Sequence, residues 1–180
     1  MSRVFVRTIL GASIAIGILV AASPSNATVW KNYEDETKCM GASGGNMTNG
    51  TNLIVWDCDS HPDQSWTEAG VGGSYVQLED NKNLSKCAGV SGGSVEELTP
   101  LIIWSCNGAD DQAWEPVFDW QDGNGHNCYH FVNYNVELRT EQTYVLNPDY
   151  WVTDGTKIIL ERFYQWYNGE IAPFQYWCAY

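Results

Sequence analysis

Two stretches of the chain resemble the surroundings of a catalytic serine. Gly41-Ala42-Ser43-Gly44-Gly45 and Gly89-Val90-Ser91-Gly92-Gly93 both fit Gly-x-Ser-x-Gly. That motif activates serine only where a strand turns sharply into a helix and distant Asp and His partners converge on it. No helical pattern follows either serine. Both stretches therefore read as turns in which glycine adopts a positive φ. Metal chemistry is also poorly supported. His61, His126 and His130 lack ligand spacing, and no two cysteines form CxxC. Asp119 to Asn127, "DWQDGNGHN", is rich in oxygen ligands but lacks the order and closing Glu of a calcium loop. It reads as a flexible linker, and Glu96-Glu97 reads as a solvated loop. No catalytic residue, metal or cofactor is expected. What remains is recognition chemistry. Nine Trp and ten Tyr offer flat apolar faces, and Asp, Asn and Gln side chains offer hydrogen-bond acceptors.

The elements that must position these groups are written as a repeat. Cys39 to Trp66 reads CMGASGGNMTNGTNLIVWDCDSHPDQSW, and Cys87 to Trp114 reads CAGVSGGSVEELTPLIIWSCNGADDQAW; 13 of 28 positions match without a gap. In each copy two cysteines lie 19 positions apart and Gln-x-Trp follows. A third, divergent copy ends in Gln175-Tyr176-Trp177, with "DGTKIILERF" (Asp154 to Phe163) matching "NGTNLIVWDC" (Asn49 to Cys58). Phe163 stands where the second cysteine would be. The first-cysteine position is either Cys128, followed by an insertion, or Tyr144 in an ungapped register, and Tyr144 is favoured. Short apolar runs such as Leu53 to Trp56, Leu101 to Trp104 and Ile158 to Leu160 are punctuated by Gly, Asn, Asp and Pro, which are strand and turn signals. No stretch shows helical periodicity over three turns. Three such units of about 40 to 50 residues predict an all-β, three-fold closed barrel.

The three Gln-x-Trp motifs, the registered cysteines and "LIVWDC" before the motif resemble the ricin-type lectin β-trefoil, over about Trp30 to Tyr180. The resemblance implies that Trp66, Trp114 and Trp177, with the motif Gln175, are structural. It also implies the bridges Cys39–Cys58 and Cys87–Cys106 within units. Cys128 and Cys178 remain, and a bridge between them would tie the last strand to the start of the divergent unit. By the same resemblance, the sugar-binding aromatic lies two residues before the second cysteine, at Trp56 and Trp104. A polar residue just before the motif Gln adds Asp63 and Asp111, beside Gln64 and Gln112. The pairing is chemically sensible: an aromatic face covers the C–H face of a sugar ring, and a carboxylate accepts from two hydroxyls. Strand alternation puts Leu53 and Val55 on one face and Ile54 and Trp56 on the other. The competing reading packs Trp56 and Trp104 under a neighbouring loop. One departure matters. The family's main sugar-binding Asp, two residues after the first cysteine, is replaced by Gly41 and Gly89, and in the third unit by His130 or Leu146 according to register.

Charge narrows the partners. With 22 acidic against 9 basic residues, the formal net charge is −13, which disfavours nucleic acid and anionic lipid. Residues 1–27 read as a secretory signal peptide: Arg3 and Arg7 lead an apolar run, and Ser25-Asn26-Ala27 supplies small residues for cleavage. A membrane anchor is the alternative, but the run is short for a span of about 20 residues. The expected product is a secreted, disulfide-bonded single domain, 28–180, with repeats at about 30–77, 78–120 and 121–180. It is expected to bind glycans or glycoproteins. The rival expectation is a sugar-blind trefoil acting as a toxin accessory subunit or inhibitor, docking a protein partner through Phe163, Tyr164, Trp166 and Tyr167 of the third repeat.

Overall fold

A computed structural model describes residues 27–164 and 172–180; residues 1–26 of the expected signal peptide, Trp166 and Tyr167 lie outside the described residues. Twelve strands form all but a small part of the regular structure. They are β1 (Trp30–Asn32), β2 (Lys38–Ala42), β3 (Leu53–Asp57), β4 (Trp66–Gly72), β5 (Tyr75–Asp80), β6 (Lys86–Val90), β7 (Thr99–Ser105), β8 (Trp114–Gln121), β9 (Asn127–Asn133), β10 (Tyr144–Pro148), β11 (Ile158–Arg162) and β12 (Trp177–Ala179). Among the described residues a single short α-helix, α1 (Tyr134–Thr140), sits between β9 and β10. Two turns are too few to leave the three-turn periodicity that sequence reading requires.

Six strands close a barrel. β4 pairs with β5, β5 with β8, β8 with β9, β9 with β12 and β12 with β1, all antiparallel. Thr28, just before β1, completes the ring by exchanging two 2.8 Å backbone hydrogen bonds with Trp66 on β4. Closure leaves no free barrel edge. The other six strands make three hairpins, β2–β3, β6–β7 and β10–β11, which touch one another through β11–β7 pairing and through bridges at Asn52–Ile102 and Ile54–Lys157. A closed six-stranded barrel with a three-hairpin cap is a β-trefoil.

The core repeats in threes. Trp66, Trp114 and Trp177 are fully buried, and their indole N–H groups donate to the carbonyls of Met40 (3.1 Å), Ala88 (3.1 Å) and Leu146 (3.3 Å). Each tryptophan thus fills the barrel and ties it to its hairpin, satisfying its own polar atom in the process. Trp30, Leu78 and Phe131 form a second buried set; each lies two residues before the strand residue paired with the motif Trp. Disulfides join Cys39 to Cys58, Cys87 to Cys106 and Cys128 to Cys178, the last directly across the β9–β12 pair.

The third unit corrects two expectations. Cys39 pairs with Trp56 and Cys87 with Trp104, while the matching partner of Glu161 is Val145. The first-cysteine position is therefore Val145, not Tyr144 and not Cys128, which lies on a barrel strand. Val145 is fully buried, and Phe163, at the second-cysteine position, stacks on His130 at 4.1 Å between ring centroids. Two apolar side chains occupy the positions that are cross-linked in the other units. Asp119 to Asn127 is likewise no flexible linker. It spans the end of β8 and the tip of the β8–β9 hairpin, where the Asp122 carboxylate accepts from the backbone N–H groups of Asn124 and His126 at 2.8 Å each.

Candidate functional site

Each motif glutamine closes a short 3-10 turn, Pro62–Gln64, Asp110–Gln112 or Pro173–Gln175. Each makes the same clamp. Gln64 Nε2 donates to Asp57 O (2.8 Å) while its Oε1 accepts from Asp59 N (2.9 Å). Gln112 does this with Ser105 O (3.0 Å) and Asn107 N (3.0 Å), and Gln175 with Arg162 O (2.9 Å) and Tyr164 N (3.0 Å). All three glutamines are buried. Gln64 still lines the cleft beside Trp56. One donor and the oxygen of each amide join the turn to the end of the preceding hairpin strand, as Gln175 does in the third unit.

The clamp sets the place of the residue before it. Asp63 and Asp111 turn inward over the glycines of the facing strands. A Cβ built on Gly41 would lie 2.9 Å from Gln64 Cγ and 3.4 Å from Asp63 Oδ2; one built on Gly89 would lie 2.9 Å from Gln112 Cγ and 3.0 Å from Asp111 Oδ2. A side chain at 41 or 89 would therefore have to displace the clamped glutamine. The carboxylate absent from the strand is supplied across the cleft by the turn. Sequence reading named both the missing Asp and Asp63 and Asp111, but not that the two positions, 22 apart, meet in space.

Above this floor stand the two tryptophans. Trp56 is 45% exposed and Trp104 42% exposed, far from the full burial of the motif tryptophans. Beside Trp56 is a cleft of about 480 Å³, lined by Gly41, Ile54, Trp56, His61, Asp63 and Lys82 among others. Ile54 and Trp56 share the cleft face of β3, as alternation requires. The turn at Gly155 of the third unit approaches one edge of Trp56, with a Cβ there 3.8 Å from Cζ3. Lys38 anchors that junction by pairing with Asp57 (2.5 Å) and Asp154 (2.6 Å). In the second unit Lys86 holds the corresponding turn through Asn49 Oδ1 (2.6 Å). Lys82 Nζ donates to Gly45 O (2.6 Å), and Asn135 Nδ2 does the same for Gly93 O (3.0 Å).

Electrostatics differ between the first two units. Burial pushes the Asp111 carboxyl up from its ordinary value. In the first unit burial acts on Asp80, pushing it up to about 6, with the negative charge of Asp63 adding to the effect. Lys82 and Asp80 were not singled out from sequence, and His61 was weighed only as a metal ligand. Their positions follow from strand pairing and loop closure, which a linear motif does not encode.

The third unit lacks this arrangement. Asn147, the counterpart of Gly41 and Gly89 in place of the expected His130 or Leu146, is fully buried and donates to Glu161 Oε2 and to Pro148 O. Glu161 replaces the exposed Trp, and Phe174 stands where Asp63 and Asp111 stand. Exposed aromatics gather elsewhere on this unit: Tyr150 and Trp151 are 72% and 74% exposed.

Neither serine lies at a nucleophile elbow. Ser43–Gly45 and Ser91–Gly93 are 3-10 turns between hairpin strands, with Gly44 at φ 61° and Gly92 at φ 65°. The histidines are spoken for by neighbouring carboxylates: His61 with Asp59 (2.9 Å), His126 with Asp122 (2.8 Å), His130 with Asp119 (2.7 Å). Among the described residues no helix is long and apolar enough to cross a membrane.

Strand pairing and the three-fold repeat together define a β-trefoil. Residues 25–104 match the family model described as the ricin-type beta-trefoil lectin domain-like family. No curated protein matches the chain significantly. Among solved structures, the designed three-fold symmetric protein ThreeFoil is similar at 19% identity and TM-score 0.71, with 85% of this chain and 96% of that one covered. The ricin B-like lectin of Macrolepiota procera, solved with lactose, is similar at 19% identity and TM-score 0.63, covering 88% and 97%. An exo-beta-1,3-galactanase from Clostridium thermocellum aligns at 21% identity and TM-score 0.69, covering 85% of this chain and 29% of the enzyme. At these identities the likeness is one of fold.

Proposed function

We propose that this protein is a secreted, non-catalytic lectin-like module, and that residues 28–180, after removal of a signal peptide, form its single domain. It binds glycans through two clefts, one built on Trp56 and Asp63, the other on Trp104 and Asp111. The observation that carries this reading is the coincidence, in both units, of a half-exposed tryptophan with an inward-turned carboxylate over a glycine floor. A sugar ring lying on the indole would bring its hydroxyls within reach of the carboxylate, whose oxygens accept more than one hydrogen bond. Two clefts on one chain also allow both to engage one glycan surface, raising modest affinity by avidity. A glycan array tests this with wild type, each single variant (Trp56→Ala, Trp104→Ala) and the double variant. The expected result is a sugar signal in the wild type that the double variant loses. Equal signals from both, or no sugar signal at all, would overturn it.

A second reading is a sugar-blind trefoil that docks a protein, such as a toxin partner or an inhibited enzyme. Its support is the exposure of Tyr150 and Trp151 on the third unit, outside both clefts. Partner capture that survives excess free sugar and is lost in Tyr150→Ala/Trp151→Ala would favour it over the first.

A further inference from the structure

Three strand residues occupy one position of the trefoil. Asp80 pairs with Trp66, Asn133 with Trp114 and Asn32 with Trp177. All three are fully buried. Asn32 Nδ2 donates to Phe174 O (2.8 Å), and Asn133 Nδ2 donates to Asp111 O (3.1 Å). In both cases the acceptor is the carbonyl of the residue just before the motif glutamine. The amide thereby pins the 3-10 turn to the barrel. In the first unit that carbonyl belongs to Asp63.

Asp80 has the same orientation. Its Oδ1 accepts from Lys82 N (2.8 Å), just as Asn32 Oδ1 accepts from Glu34 N (3.1 Å). Its other oxygen, Oδ2, thus takes the place of the donating Nδ2. It is buried and has no hydrogen-bond partner. An ionised carboxylate has no proton to give and would face a carbonyl oxygen, a buried and repulsive arrangement. A neutral carboxyl has one donor, and the position calls for one.

We propose that Asp80 is a positioning residue of the first cleft that works as a neutral carboxyl: its Oδ2–H donates to the Asp63 carbonyl and fixes the turn presenting the Asp63 side chain. Ionisation removes that donor and loosens the turn. The second and third units, with Asn133 and Asn32, have no such dependence on pH. The charged groups acting on Asp80 are Asp63, which favours the neutral form, and Lys82, which favours the ionised form; β4 presents Trp66 opposite it. Burial is the largest influence and raises the carboxyl to about 6. A folded-state value above the unfolded one gives stability that is complete below about pH 4 and is lost as pH rises through about 6. As far as glycan binding is concerned, the proposal rests on the first cleft being a sugar site; the protonation itself does not.

The test is a carbon-13 titration of the Asp80 carboxyl, followed with the backbone amides of Gly41 and Asp63, in wild type and Asp80→Asn. The expected result is a midpoint near 6 shared by the carboxyl and both amides, absent from the variant. Asp80→Asn should also lower the unfolding equilibrium constant about 100-fold at pH 8 and leave it nearly unchanged at pH 4. An ordinary carboxyl midpoint near 4, or amide shifts that persist unchanged in Asp80→Asn, would overturn the proposal. Both readouts are independent of ligand, so a failed glycan array counts against the cleft reading alone. With a glycan in hand, Trp104→Ala isolates the first cleft. Its affinity should fall between pH 5 and 8, and adding Asp80→Asn should abolish that fall; a flat profile before Asp80→Asn is added would contradict the positioning role.

Discussion

In the first unit the residue opposite the buried first cysteine is Trp56, 45% exposed beside a cleft; in the third unit the same place holds Glu161, opposite the buried Val145. Beneath Trp56 lies Gly41, and beneath Glu161 lies Asn147, whose amide donates to the glutamate. The backbone around both is alike. Gln64 and Gln175 make the same two-bond clamp, and Trp66 and Trp177 make the same indole-to-carbonyl bond. The Gln-x-Trp motif therefore belongs to the fold, and it persists where the cleft chemistry has gone. The proposed recognition chemistry rests instead on the residues that differ between the units: the aromatic, the glycine and the residue before the glutamine.

If that division is right, variants should separate the two roles. The largest effect is expected for Trp177→Ala or Trp66→Ala, each losing about 3 to 5 kcal/mol of stability in denaturant unfolding. The loss should be similar in the two units, although only one carries a cleft. Next is the cross-link. Removing Cys128–Cys178, which spans 50 positions, should cost about 4 kcal/mol, against about 3 kcal/mol for Cys39–Cys58, which spans 19. Thermal unfolding of the paired Cys→Ala variants checks this order. A smaller loss, about 1 to 3 kcal/mol, is expected for Gly41→Asp, because the new Cβ meets the clamped Gln64 at 2.9 Å. Restoring the residue of the resembling lectins at this position should thus weaken the protein and not improve glycan binding. The smallest stability change, under about 1 kcal/mol, is expected for Trp56→Ala, since so much of this side chain already faces water. Its effect should appear in binding alone.

Much of the architecture was legible because cysteines and Gln-x-Trp are rare residues at fixed spacing, and 13 of 28 identical positions leave no doubt about register between the first two units. The third unit was harder. Once the cysteine pair became Val145 and Phe163, nothing marked the first position, and the ungapped count landed one residue early at Tyr144. The site was half legible. The outward tryptophans follow from strand alternation and from the resemblance. The clamp made by the glutamines was not legible, because a buried amide that satisfies backbone groups looks, in sequence, the same as one that faces a ligand. Asp80 carried no linear signal at all: its equivalence to Asn133 and Asn32 exists only through pairing with the motif tryptophans.

The most direct test of the two-cleft account is the stoichiometry of glycan binding, measured by titration calorimetry with a soluble glycan chosen from the array. The account predicts two sites per wild-type chain, one in either Trp56→Ala or Trp104→Ala, and none in the double variant. A stoichiometry that ignores both substitutions, or a site retained when both tryptophans are gone, would contradict it.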